Sequence, residues 1–275
     1  MCEKQAPVEG RTSVTKLSKH ILAALLLTSF APVAATAASP QLPDTRDGEG
    51  LSSRTVSQPA IPARGRYILV DTHSAQLFMF EDGKLHGSMR VIVGKPSAST
   101  PDLTGMLYYA TLNPYWHVPD NLIRTAIAPR ALKEGQAYLR SKGYEVVSGF
   151  GSDAVTIPPE QVDWKAVAAG TQTVIVRQLP GPANSMGKVK FSFGNPQGIY
   201  LHDTPSKALF AQADRRLSNG CIRLEKAEAL AHWVMERDAI PASGSPDNNV
   251  LLPEPVPVTV VALSGPAVAS LAALR

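Results

Sequence analysis

Two residues late in the chain could carry out nucleophilic chemistry. His202 ends an apolar, strand-like segment, and Cys221 follows the turn-forming residues Ser218, Asn219 and Gly220. A thiolate attacks carbonyl carbons, and an imidazole can take the thiol proton near neutral pH. Gly220 can adopt backbone conformations closed to other residues, so successive N–H groups could converge on a developing oxyanion. The alternative is a buried structural thiol with a hydrogen-bonded core histidine, and the spacing alone leaves both readings open.

The first 37 residues have the pattern of an export signal. A polar start with several lysines precedes the apolar run Ile21–Phe30, and small residues follow it. These regions predict a secretory signal peptide cleaved near Ala37 or Ala38. A retained membrane anchor is the alternative, but it needs about 20 apolar residues, roughly twice this run. We therefore predict a periplasmic protein whose mature part keeps one thiol, Cys221, because Cys2 leaves with the signal.

Composition argues against two classes of partner. Removing residues 1–37 takes away four Lys/Arg and two Asp/Glu, so the formal charge falls from +4 to about +2. No basic stripe of the kind used for nucleic acid remains in the sequence. The other histidines stand apart from one another, at His73, His86, His117 and His232. We therefore expect no metal site, no cofactor and no nucleic-acid partner.

The elements that must position His202 and Cys221 are mostly strands. Residues 38–64 are rich in Pro, Ser and Thr and predict a flexible linker, so folding should begin near Gly65. Runs of β-branched and aromatic residues predict strands at Arg66–Asp71, Gln76–Phe80, Ser88–Val93, Met106–Leu112, Thr173–Gln178, Lys188–Phe193, Gly198–His202 and Val256–Leu263. The first three should form a meander. The core should therefore be mainly β.

Two stretches interrupt this β pattern. Apolar spacing predicts a helix over Asp120–Gly143, broken in two by Pro129. Residues 113–180 would form an insertion of helices and loops, long enough to act as a lid. A second helix is predicted over Glu225–Arg237, directly after Cys221, where its N-terminus would favour the thiolate.

The motif around these residues resembles that of the L,D-transpeptidase (YkuD domain) family of peptidoglycan crosslinking. His202 is followed by fifteen residues and then by Ser218-Asn219-Gly220-Cys221-Ile222-Arg223. Asn219 departs from the family pattern, in which His is commonest, and this puts substrate contacts rather than the chemistry in doubt. Further similarity to the lid-containing subgroup lies in Gly65–Val70, Met89–Lys95, Asn113–Pro119, Arg177–Pro182 and Leu201–Pro205. The similarity spans about Gly65–Leu263, and we therefore expect the peptidoglycan-binding module common in that subgroup to be missing.

The resemblance implies a β-sandwich or barrel-like fold, with a helical lid and a helix after the cysteine. The implied domains are a signal peptide (1–37), a linker (38–64), a catalytic domain (65–264, lid about 113–180) and a tail (265–275). It also implies roles for nine residues: Cys221 and His202 catalytic; Asn219, Gly220 and Asp203 oxyanion-binding or orienting; Arg223, Ser218, Tyr200 and Trp116 substrate-binding.

The implied reaction begins on a tetrapeptide stem containing meso-diaminopimelate. A thioester on Cys221 forms with release of D-Ala, and a second stem then accepts the acyl group in a 3→3 crosslink. Water as acceptor would make the protein an L,D-carboxypeptidase, and a protein lysine would make it an anchoring enzyme. The resemblance also implies that carbapenems inhibit the protein and that the protein affects cell shape.

Four alternatives stand beside this interpretation, two for the whole chain and two for single residues. A non-catalytic peptidoglycan-binding protein would have no use for a lone thiol beside a base. A papain-like enzyme places its cysteine before its histidine, whereas His202 precedes Cys221 here. Arg223 could instead form a surface ion pair with Glu225 or Asp203. Trp116 could equally belong to the core.

Overall fold

The computed structural model describes residues 59–151, 153–238 and 244–264. The predicted signal peptide, most of the predicted linker and the C-terminal tail lie outside these ranges. Within them, no helix is both long enough and apolar enough to cross a membrane.

The described residues form thirteen strands and four α-helices. The strands are β1 Arg66–Asp71, β2 Gln76–Glu81, β3 Lys84–Gly94, β4 Leu103–Leu112, β5 Trp116–His117, β6 Tyr144–Val147, β7 Thr156–Ile157, β8 Ile175–Gln178, β9 Val189–Phe193, β10 Tyr200–His202, β11 Arg216–Ser218, β12 Ile222–Leu224 and β13 Asn248–Val261. The helices are α1 Asp120–Leu122, α2 Ala128–Lys142, α3 Trp164–Ala169 and α4 Ala227–Met235. Short 3-10 turns lie at Pro96–Ala98, Pro159–Gln161 and Lys207–Ala211, and a π turn at Ile123–Ile127.

The main sheet closes into a barrel. Its order is β3-β12-β10-β9-β4-β13-β1-β2, the pairing of β2 with β3 completes the ring of eight strands, and β11 pairs with β3 outside it. Ile68, Phe191 and Leu201 are fully buried in the core. In β1 the alternate residues Tyr67 and Leu69 are buried as well, in a separate apolar cluster. The predicted mainly β fold is confirmed, as a closed barrel, and so is the meander of β1, β2 and β3.

The strand order brings the two parts of the motif together. β10 pairs in parallel with β12, so Leu201 lies opposite Ile222 and His202 opposite Arg223. Parallel neighbours need a long connection, and here residues 203–221 supply it. His202 and the segment that follows Cys221 are therefore side by side, although nineteen positions separate His202 from Cys221 in the sequence.

The predicted insertion has more structure than expected. Four strands, in the order β5-β8-β6-β7, form a second sheet between the helices. The insertion has its own apolar cluster, which includes Ile123, Ile127, Leu139 and Val176. The strand predicted at Thr173–Gln178 is present as β8. The other three strands were not predicted, because strands of two to four residues leave little periodicity in a sequence.

Two helix predictions also need correction. Pro129 does not break the first helix, because it lies in the first turn of α2, directly after a π turn, where a missing N–H is tolerated. The interruption is at Gly135, with φ 65° and ψ −157°. The second helix, α4, does not begin directly after Cys221: β12 intervenes, and α4 starts at Ala227.

Candidate active site

The residues of the motif meet in one small cavity between the barrel and the insertion. It has a volume of about 90 Å³ and is lined by Trp116, Pro119, Leu122, Ser185, Met186, His202, Ser218, Asn219, Cys221 and Arg223. Six of the nine residues singled out by sequence are in this lining. The other three do not line the cavity. Asp203 and Gly220 are next to lining residues in the chain, and Tyr200 packs against Cys221.

His202 is held in the orientation that a general base needs. Its ring is buried, and Nδ1 lies 2.6 Å from the carbonyl oxygen of Asp203. A carbonyl can only accept, so Nδ1 carries the proton and donates it, which leaves Nε2 as the basic nitrogen. Burial, together with the positive charge of Arg223, lowers the pKa of His202 to about 4, against the raising effect of the hydrogen bond to the Asp203 carbonyl. At neutral pH the imidazole is therefore uncharged and able to accept a proton.

The low pKa of His202 predicts acid sensitivity of the fold. The unfolded imidazole titrates near pH 6.5, so between that pH and about 4 the unfolded chain binds the extra proton. The free energy of unfolding is therefore unaffected by this group above pH 6.5. Below that pH it falls by about 1.4 kcal/mol per pH unit, and by about 3 kcal/mol in all. Urea unfolding at several pH values measures this slope. In His202→Gln, which does not titrate, the slope in this window should be shallower; an equal slope would contradict the assignment.

Hydrogen bonds fix the loop before Cys221 and determine which of its backbone N–H groups can bind an oxyanion. Gly220 has φ 121°, in the region that favours glycine, and its N–H donates to Ser218 Oγ at 3.1 Å. The hydroxyl of Thr100 donates to the Gly220 carbonyl at 2.7 Å and accepts from Gly94 N–H at 2.9 Å. Ser218 therefore orders the loop, and Gly220 N–H is engaged there.

Cys221 is buried immediately before β12, in contact with Met186 and Tyr200. In this structure its sulfur is disulfide-bonded. The prediction of a lone thiol concerns the mature chain after loss of Cys2, and Cys2 lies outside the described residues. Because β12 separates Cys221 from α4, the expected help of a helix N-terminus to a thiolate was wrong, and the nearby positive charge is that of Arg223.

Arg223 is a cation without an acidic partner among the described residues. Burial lowers its pKa, and no attraction from a carboxylate opposes this. The ion pairs considered from sequence do not form, because Glu225 binds Arg90 and Asp203 binds Lys207. A desolvated guanidinium costs free energy unless an anion meets it. Its position in the cavity wall therefore favours an anionic ligand.

A lysine that sequence reasoning missed holds the segment behind His202. Lys207 Nζ donates to Asp203 Oδ1 at 2.7 Å and to the carbonyl oxygens of Leu224 and Glu225 at 3.1 and 2.9 Å. The other oxygen of Asp203 accepts from Lys188 N–H at 2.9 Å. Lys207 thus ties the end of β10 to the end of β12. The only sequence feature that could have indicated this role of Lys207 is its position shortly after His202.

Removing this lysine should change the titration of His202 as well as its position. In Lys207→Met the Asp203 carboxylate loses its counter-charge, so the pKa of His202 should rise and the acid limb of turnover should move to higher pH. We expect turnover at neutral pH to fall about tenfold, since small displacements of a base are costly. The pH–rate profile of substrate turnover measures both. Lys226→Met, on an exposed neighbour, is the control, and an unmoved acid limb in Lys207→Met would refute this role.

The insertion contributes one wall of the cavity. Trp116, in β5, packs against the Met186, Tyr200 and Cys221 cluster. Asn184, also missed from sequence, joins the two ends of the insertion: its Nδ2 donates to Pro114 O at 2.9 Å and Leu179 O at 3.0 Å. Its Oδ1 accepts from Met186 N–H at 2.7 Å.

A larger cavity of about 780 Å³ lies on the other side of Asp203. Its charged residues are largely paired with one another, as in Lys188 with Glu228 and Lys207 with Asp203. Neither the cysteine nor the histidine lines it, so the smaller cavity remains the candidate active site.

Sequence comparison gives two matches that agree with each other. Residues 65–258 match the YkuD family model, the L,D-transpeptidase catalytic domain. A Haemophilus influenzae protein named "Putative L,D-transpeptidase" is 34% identical over 176 residues, which is 64% of this chain and 35% of that protein. The chain thus matches about a third of the length of this curated relative.

Solved structures of this family resemble the chain more distantly. An L,D-transpeptidase from Mycobacterium smegmatis has 15% identity and a TM-score of 0.35, covering 70% of this chain and 58% of that one. The catalytic domain of an Enterococcus faecium L,D-transpeptidase acylated by ertapenem has 14% identity and a TM-score of 0.33, covering 72% and 97%. At such TM-scores the likeness adds nothing to the match over residues 65–258.

Proposed function

The chain belongs to the L,D-transpeptidase catalytic domain family, and from this premise we propose that it crosslinks peptidoglycan through a thioester on Cys221. The observation that carries the proposal is the shared cavity of Cys221, His202 and Arg223. It combines a nucleophile, a neutral base and a cation without an acidic partner among the described residues. The site of action is the periplasm, to which residues 1–37 would direct the chain.

The first step acylates the enzyme. Nε2 of His202 takes the proton of Cys221, and the sulfur attacks the carbonyl of diaminopimelate, the third residue of a tetrapeptide stem. Because Gly220 N–H donates to Ser218, the oxyanion donors are the N–H groups of Asn219 and Cys221. The imidazolium then protonates the leaving amine, so that D-Ala departs and a thioester remains.

Arg223 binds a carboxylate of the donor stem during this step. A guanidinium matches a carboxylate with two parallel hydrogen bonds, and the partly desolvated site strengthens them. Binding also relieves the cost of a cation buried without a partner. Trp116 contributes apolar surface from the insertion side of the cavity.

The second step transfers the acyl group to an acceptor. We propose the side-chain amine of a second diaminopimelate, which gives a 3→3 crosslink once His202 has removed its proton. The insertion favours this outcome over hydrolysis, because it covers the small cavity and limits the entry of water. Water, giving an L,D-carboxypeptidase, and a protein lysine, giving wall anchoring, are the competing acceptors.

The products decide between these reactions. The reduced protein is incubated with a diaminopimelate-containing disaccharide tetrapeptide, and the mixture is analysed by mass spectrometry. We expect release of D-Ala and a dimeric product. Release of D-Ala without dimer would identify a carboxypeptidase or another acceptor. No release under reducing conditions would overturn the enzymatic proposal and favour a non-catalytic peptidoglycan-binding protein.

A further inference from the structure

A second cation flanks His202 on the side away from Arg223. Lys190 in β9 is the cross-strand partner of His202 in the antiparallel pair of β9 and β10. Directly opposed residues have side chains on one face of a sheet, about 5 Å apart at Cβ. His202 therefore lies between Arg223 on β12 and Lys190 on β9.

Lys190 has no acidic partner among the described residues. It is half-buried, and its Nζ lies over the ring of Tyr200, 5.2 Å from the ring centroid. The neighbouring lysine just before this strand, Lys188, is exposed and paired with Glu228. Two lysines only two positions apart thus differ sharply: one is neutralised at the surface, and the other presents its charge beside the base. Its charge also lowers the pKa of His202.

A second small cavity lies on this side of the catalytic pair. It has a volume of about 130 Å³, and its lining includes Tyr108, Tyr109, Ser192, Gly198 and Tyr200. The carbonyl oxygen of Gly198 is 4.0 Å from Cys221 Sγ. Tyr200 contacts Cys221 as well. A ligand in this cavity would therefore lie close to the cysteine and to the ring of Tyr200, over which Lys190 extends.

The acceptor stem has the chemistry that suits these groups. The reacting amine of diaminopimelate sits on a carbon that also bears a carboxylate, so the acceptor ends as a free α-amino acid. When that amine is beside His202, its carboxylate is within reach of a cation on the neighbouring strand. A lysine in place of diaminopimelate has the same amine and lacks this carboxylate.

We propose that Lys190, with the cavity beside Tyr200, binds the α-carboxylate of the acceptor's reacting amino-acid end, and so selects diaminopimelate over lysine. This inference rests on the proposed transpeptidase reaction. In that reaction the acceptor amine attacks the thioester carbonyl, His202 takes the amine proton, and the Cys221 sulfur leaves.

Two tripeptide acceptors that differ by one carboxylate test the inference. L-Ala-D-Glu-diaminopimelate and L-Ala-D-Glu-L-Lys lack a fourth residue, so neither can act as donor. With a tetrapeptide donor and the reduced full chain, the rate of dimer formation is measured against acceptor concentration. We expect wild type to favour the diaminopimelate acceptor about tenfold in kcat/KM, the effect of one charged hydrogen bond.

The variants separate recognition from catalysis. Lys190→Met should lose the preference, while Lys188→Met, the matched control two positions earlier in the chain, should keep it. Because any change in the pKa of His202 affects both acceptors alike, the ratio reports the carboxylate contact. With donor alone, followed by intact mass, wild type and Lys188→Met should acylate at the same rate, and Lys190→Met should still form the thioester.

Each contrary result has a distinct meaning. An unchanged ratio in Lys190→Met, or no preference in wild type, would overturn the role of Lys190. A thioester that forms in wild type and passes only to water would also overturn it, while leaving the acylation step intact. Absence of the thioester in wild type would overturn the proposed function itself.

Discussion

Replacing Cys221 with alanine should abolish acylation, by at least about a thousandfold, and leave the fold in place. The other hydroxyls in the cavity wall, those of Ser185 and Ser218, are much weaker nucleophiles than a thiolate, and Ser218 Oγ is engaged with Gly220 N–H. The loss of one buried sulfur should lower the free energy of unfolding by about 1 kcal/mol. Both proteins are compared after reduction, so that the disulfide bond does not contribute to the difference.

A carbapenem provides the most direct readout of this loss. A β-lactam presents a strained carbonyl to the thiolate and the oxyanion donors, so wild type should gain the mass of one inhibitor molecule and Cys221→Ala should gain none. Thermal unfolding of the same samples measures stability. No adduct on reduced wild type, or a collapse of the fold in the variant, would support a structural thiol instead.

Replacing Arg223 with methionine should weaken donor turnover about a hundredfold, mainly through KM. A bidentate contact between a guanidinium and a carboxylate is worth about 3 kcal/mol where water is partly excluded. Arg223→Lys keeps the charge and loses the planar fork, so it should recover only part of the loss. Steady-state kinetics with varied tetrapeptide measure both, and Arg216→Met, on an exposed arginine paired with Asp214, is the control.

Stability should move in the opposite direction to activity. Arg223 is desolvated and finds no carboxylate among the described residues, so methionine of similar length should leave the free energy of unfolding unchanged or raise it by about 1 kcal/mol. Chemical denaturation of the two proteins measures the difference. A marked loss of stability in Arg223→Met would show that the guanidinium has a structural role, against its assignment to substrate.

Sequence reasoning located the long strands and the chemical motif because both leave local signals. The β-branched run of β1 and the alternation in β9 are readable without knowing their partners. Cys221 and His202 were found by residue type, spacing and resemblance. The short strand β12 was missed, since three residues show no period, and the helix was consequently placed too close to Cys221.

Long-range pairing decided the rest of the site. Whether Arg223 would be neutralised depended on Glu225, and Glu225 is paired with Arg90, which is 135 positions away. No sequence pattern near Glu225 indicates that Arg90 is its partner. Asn184 and Thr100 likewise act on segments distant in the chain, through backbone carbonyls that every residue possesses. Such contacts are set by tertiary structure and leave no local pattern.

The closure of the barrel constrains how the chain can fold. β1 pairs in parallel with β13, with Ile68 opposite Val258, so the ring closes only when the last strand meets the first. Bringing together segments so far apart in the chain costs loop-closure entropy before any stabilising contact has formed, and this slows folding. During synthesis from the N-terminus, β1 can therefore pair only with β2 until β13 has been made. Shortening the protein at β13 would leave β1 and β4 as open edges, prone to pair with other chains.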